Sequence, residues 1–132
     1  MNILTFLIGI ALACFAIAIM HWCRIAYERG TWAASMVAIS AFYIVFSFEH
    51  GVGEVEHVTI ASLFALLAIL GARVNAWLIV AALIGHGVFD AVVHLVFPDP
   101  SPEWWGPFCI GVDVVLGLWL AILIIKKRII VA

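Results

Sequence analysis

The sequence predicts an all-α integral membrane bundle of five transmembrane helices, N-terminus outside and C-terminus cytoplasmic. Three observations carry that expectation. First, 67% of the 132 residues are hydrophobic and only 11% charged, with a mean hydropathy of +1.28. A soluble domain averages about 45–50% apolar and about 25% charged, and a small one leaves too much surface exposed to hide such an excess. Second, the apolar residues fall into five runs separated by short polar breaks. Third, the basic residues occupy alternate connections. The same numbers exclude other classes. A net charge of −2 gives nucleic acid nothing to bind, and so apolar a chain is not disordered. Three scattered cysteines (Cys14, Cys23, Cys109) make no disulfide framework.

The first run covers 3–22. Its opening stretch, 1–13, has no basic n-region, and no Leu stands three residues before Cys14. It reads as a retained first helix, with a secretory peptide as the alternative. The second run, 32–48, carries the polar residues Ser40, Tyr43 and Ser47, and His50 follows it, at steps of 3, 4 and 3. The third, 58–72, has 15 residues, short of the roughly 17–25 a spanning helix needs. It reaches that length only if the helix begins near Glu54, which places Glu54 and His57 inside the helix. The fourth run is 76–97 and the fifth 108–125. All four prolines fall in the 98–107 connection, which is expected to be extended and external. Trp22, Trp32, Trp77, Trp104 and Trp105 sit where interfacial rings favour the headgroup level. Residues 1–132 form a single transmembrane helical domain, without repeats or low-complexity linkers.

Five spans make the orientation a sharp test. Arg24 and Arg29 follow span 1, Arg73 follows span 3, and Lys126, Lys127 and Arg128 follow span 5. All six basic residues therefore share one side. The opposite side receives Glu49, Glu54, Glu56, Asp99 and Glu103 and no cation. The positive-inside rule makes the basic side cytoplasmic. His21, beside Trp22 and Arg24, is read as a headgroup contact at that side.

Ionisable side chains inside a bilayer are costly and usually face a bundle interior. Span 4 carries His86, Asp90 and His94 at i, i+4 and i+8, a spacing that keeps them near one helix face. Span 5 carries Cys109 and Asp113, again four apart. From the helical rise, Asp90 lies about 10 Å and Asp113 about 8 Å below the outer edge, with His86 near the midplane at about 16 Å and His94 at about 5 Å. His50, Glu54 and His57 approach the same layer from spans 2 and 3. Four spans thus deliver polar groups to the outer half.

Imidazole and carboxylate are the ligand set for a divalent transition metal, zinc or iron first. Glu54-x-x-His57 facing carboxylates on another helix is also the di-metal pattern of helical bundles. A metal would offset the burial cost of the carboxylates. The expected ligands or their orienters are His86, Asp90, His94 and Asp113, completed by His57, Glu54 and His50. Cys109 is either a thiolate ligand or a small apolar neighbour. Gly85 and Gly87 flank His86 and leave room for a neighbouring helix.

The stretch from His86 through Asp90 to His94, followed by Trp104, Trp105, Phe108, Cys109 and Asp113, reads H-x3-D-x3-H and then W-x2-F-C-x3-D. It resembles a small family of bacterial multi-span membrane proteins built on a domain of unknown function. The resemblance covers mainly the last two spans. Where that family carries paired histidines after the Asp, Leu95 follows His94 here, so one ligand position is missing. The resemblance implies a multi-pass protein of the bacterial inner (cytoplasmic) membrane and implies no reaction.

Together these readings give a small membrane protein with an intramembrane His/Asp/Glu metal cluster in its outer half. The expected use is enzymatic, as a hydrolase or oxidoreductase in which a metal-activated water or oxidant meets a lipid or other hydrophobic substrate. The alternatives are an ion or proton relay, haem ligation by two histidines, and a structural accessory subunit. Expected partners are the bilayer, a hydrophobic small molecule and a second copy in a homo-oligomer.

Overall fold

The computed structural model describes residues 2–130. Five helices follow in order: α1 (Ile3–Trp22), α2 (Arg29–His50), α3 (Glu54–Arg73), α4 (Trp77–Val96) and α5 (Trp105–Ile125). The described residues contain no strand. Each helix has 20 to 22 residues and is long and apolar enough to cross a membrane. At 1.5 Å per residue that is about 30 Å, the thickness of the hydrocarbon core.

Local chemistry sets the boundaries. The Asn2 side chain accepts from the backbone N–H groups of Leu4 and Thr5 and caps α1. Gly51 and Gly53 both adopt the left-handed conformation (φ +64 and +62), which turns α2 back into α3 within three residues. As the length argument requires, α3 begins at Glu54. The Asn75 side chain accepts from the Trp77 N–H at the start of α4. The last connection is shorter than expected, because α5 starts at Trp105 and takes in Pro107. A proline fits there because first-turn N–H groups have no intrahelical acceptor to lose.

Neighbours in sequence are not all neighbours in space. α2 pairs with α3, α3 with α4, and α4 with α5, while α2 also touches α4. α1 packs on α5 instead of on α2. Half of the most apolar window of α5 is buried, against 11% for α1, so α5 is the central post and α1 lies at the rim. The α1–α5 contact is very close. A Cβ at Gly9 would run into the Phe108 carbonyl, and one at Gly111 would lie 2.6 Å from the Phe6 carbonyl oxygen. Two opposed glycines let the two backbones touch.

The core has two halves. Toward the basic ends of the helices it is apolar, built from Met20, Trp32, Met36, Ile79, Leu83 and Leu120 among others. Trp32 is fully buried, and its indole N–H donates to the Ala26 carbonyl at 2.8 Å. Trp105 is buried as well, so of the five tryptophans expected at interfaces only Trp22, Trp77 and Trp104 are exposed. His21 also departs from expectation. It is half-buried and accepts the Trp119 indole N–H at 3.0 Å, which ties the end of α1 to α5. Toward the acidic ends, Tyr43, Val93, Trp105 and Cys109 form a smaller, aromatic cluster. Between the two lie the buried polar residues.

Candidate metal centre

His86 and Asp90 are one helical turn apart on α4, and Asp113 faces them from α5. All three are buried, at 1%, 4% and 0% exposure. His86 Nδ1 lies 2.8 Å from Asp113 Oδ2 and 3.3 Å from Asp90 Oδ2. The shorter contact is a hydrogen bond, in which Nδ1–H donates to Asp113. One proton cannot serve both carboxylates equally, and Asp90 takes a different donor. The Tyr43 hydroxyl of α2 donates to Asp90 Oδ1 at 2.7 Å. That leaves Asp90 Oδ2 and Asp113 Oδ1 buried without a hydrogen-bond partner. A buried carboxylate oxygen without a donor is expensive, and here two such oxygens lie in one cluster. A cation between them would satisfy both. One ligand atom from each of His86, Asp90 and Asp113 can be chosen so that all lie within 4.8 Å of one another.

Tyr43 belongs to this centre, although the sequence shows it only as one member of a polar stripe on α2. The stripe does turn inward, since Ser40 and Ser47 are buried on the same face. Tyr43→Phe keeps the ring and removes the donor to Asp90. It is expected to cost about 1–3 kcal/mol in thermal stability, the desolvation cost of an acceptor left unpaired. Equal melting temperatures for Tyr43→Phe and the parent in one detergent would refute this.

Of the remaining expected ligands, only His57 comes near. It is fully buried, and its ring stacks on Tyr43 with centroids 5.3 Å apart and planes within 6°. Its Nε2 is 2.7 Å from the Pro98 carbonyl oxygen. A carbonyl oxygen only accepts, so Nε2 carries the proton. His57 therefore ties α3 to the α4–α5 connection and supports Tyr43 from behind, while its Nδ1 lacks a partner. His50, Glu54 and His94 are exposed and outside the cluster. The His50 ring folds back along its own helix to the Phe46 carbonyl, 3.1 Å away. Cys109 lies one turn before Asp113 but packs among Tyr43, Val93 and Trp105 as a buried thiol.

A cavity of about 600 Å³ reaches the centre from the acidic end. Asp90, Ala91 and His94 of α4 line one side, and Gly106, Pro107 and Ile110 of α5 another. Asp99, Ser101, Pro102 and Glu103 of the connection complete it. Asp90 thus belongs to both the buried cluster and the cavity wall. No family model, curated protein or solved structure matches the chain.

Proposed function

We propose that the chain is a multi-pass membrane protein that binds one divalent transition-metal ion, zinc or iron, through His86, Asp90 and Asp113. It uses that ion on a hydrophobic or lipid substrate. The carrying observation is the pair of donorless carboxylate oxygens beside His86 Nδ1. An imidazole and two carboxylates form a ligand set that leaves coordination positions for water or substrate. Bound there, the ion would supply Lewis-acid activation or a metal-bound water at neutral pH. Tyr43 would orient Asp90, and His57 would hold Tyr43 and the connection above it. Because an imidazole ligates only when neutral and the carboxylates only when ionised, occupancy would rise with pH.

The relay reading has less support. Beyond the cluster the basic half is filled by Trp32, Met36, Ile79, Leu83 and Leu120, and no charged residue among the described ones is buried there. The positive-inside argument makes the acidic end external, and the sequence resemblance suggests a bacterial inner membrane as the setting.

Elemental analysis of the purified, detergent-solubilised protein tests the metal. The expected result is close to one equivalent of zinc or iron, falling below about 0.2 equivalents in Asp113→Asn, which removes one of the three charged or imidazole ligands. The same low content in the parent after incubation with either metal would overturn the reading.

A further inference from the structure

The aromatic rings at the acidic ends of the helices form a continuous line from the surface to the buried polar cluster. Trp104 is 48% exposed and Trp105, beside it, only 6%, with ring centroids 5.7 Å apart. Phe46 of α2 packs edge-on against both Trp105 and Tyr43, at 4.9 and 6.4 Å. Tyr43 ends the line, where its hydroxyl donates to Asp90 Oδ1 at 2.7 Å. Rings packed in this way are ordinary core, but two polar details set this line apart. A buried indole N–H usually finds an acceptor, and that of Trp105 has none. A phenylalanine would fill the same space without burying an unpaired donor. The Tyr43 phenol, by contrast, has a carboxylate acceptor inside the protein.

Both details suit one-electron chemistry. Tryptophan and tyrosine are the aromatic side chains that give up an electron most readily. An oxidised indole sheds its N–H proton when an acceptor is at hand. At Trp105 there is none, so the radical cation keeps its proton and its full oxidising strength. An oxidised phenol holds its proton far more weakly, and Asp90 Oδ1 is in place to take it. We propose that Trp104, Trp105 and Tyr43 form a one-electron path between the acidic-side surface and the buried cluster. A one-electron oxidant in that compartment takes an electron from Trp104, Trp105 reduces Trp104, and Tyr43 reduces Trp105 across the edge of Phe46. In the last step the Tyr43 O–H bond breaks, the proton forms a new O–H bond on Asp90 Oδ1, and a neutral phenoxyl radical remains. The oxidant gains one electron and Tyr43 loses one. The path goes beyond metal binding, because it uses the Tyr43–Asp90 hydrogen bond whether or not an ion is bound.

The test uses the full chain in detergent, with melting temperature and metal content measured on every sample. A thiol-reactive ruthenium(II) polypyridyl complex is attached at Glu103→Cys, an exposed position next to Trp104. The background carries Cys14→Ala and Cys23→Ala, and the buried Cys109 stays unlabelled. A flash with a cobalt(III) ammine as electron acceptor produces ruthenium(III), and transient absorption and freeze-quench electron paramagnetic resonance follow the radicals. The expected result is an indole radical that gives way to a tyrosyl radical, which is lost in Tyr43→Phe. Tyr27 is the other tyrosine, so a signal kept in Tyr27→Phe assigns it to Tyr43 even if Tyr43→Phe fails to fold. Trp105→Phe is expected to lose the tyrosyl signal and leave the oxidation on Trp104. Asp90→Asn, which removes the proton acceptor, is expected to leave it on the indoles. A parent in which no tyrosyl radical forms, a signal lost in Tyr27→Phe, or one unchanged in Trp105→Phe overturns the proposal. A metal-free parent that forms the Tyr43 radical overturns the metal reading and leaves the path standing, and a metal-loaded parent that does not form it does the reverse.

Discussion

His86→Leu is expected to destabilise the protein by about 3–5 kcal/mol, because it strips the imidazole from two buried carboxylates and leaves them facing each other uncompensated. Asp90 keeps its Tyr43 donor, but Asp113 keeps no hydrogen bond. The informative comparison is with a fully apolar cluster: His86→Leu, Asp90→Leu and Asp113→Leu combined with Tyr43→Phe. Buried charged networks replaced as a whole by packed apolar groups are often neutral or more stable. The quadruple variant should therefore recover most of the lost stability while binding no metal. Thermal melts of both variants with metal analysis on the same samples decide the matter. A quadruple variant as unstable as the single one would mean that the cluster holds the helices together, and binding would lose its best argument.

Gly9→Leu should have the next largest effect. The new side chain has to displace the Phe108 carbonyl, and overpacking of a close contact costs about 1–3 kcal/mol or more. α1 has its main contact with α5, so it cannot compensate by leaning elsewhere. The melting temperature falls. The metal stays, because His86, Asp90 and Asp113 all lie on α4 and α5. Gly111→Leu, on the other side of the same contact, should behave alike. Loss of the metal in Gly9→Leu would show that α1 supports the centre after all.

The five helices were legible because lipid-length apolar runs leave little choice of element, and the short third run pointed to its own start at Glu54. The His86–Asp90–Asp113 cluster was legible from helical spacing and depth. His94 was not, because each step of four residues drifts by about 40°, so at i+8 the side chain has rotated about 80° from His86. Glu54 and His57 are three apart, and the chain buries the second while leaving the first at the surface. His50 is the last residue of α2, where the Gly51 turn ends the helix and the ring meets its own backbone. Tyr43 was hidden because a tyrosine at helical spacing also reads as core, and only the partner across the bundle reveals its hydroxyl as a donor. The placement of α1 on α5 depends on the Gly9–Gly111 contact, and one glycine in a helix does not announce its counterpart 102 positions away.

The division of the core has an electrical consequence. In a bilayer, water in the cavity carries the potential of the acidic-side compartment down to Asp90, so most of the transmembrane voltage falls across the apolar layer around Trp32, Ile79 and Leu120. One elementary charge crossing the whole field gains about 2.3 kcal/mol per 100 mV. A divalent ion crossing about a tenth of it on the way to Asp90 changes its binding by only about 0.5 kcal/mol per 100 mV. Occupancy of the centre would then follow the composition of one compartment and be nearly indifferent to the membrane potential.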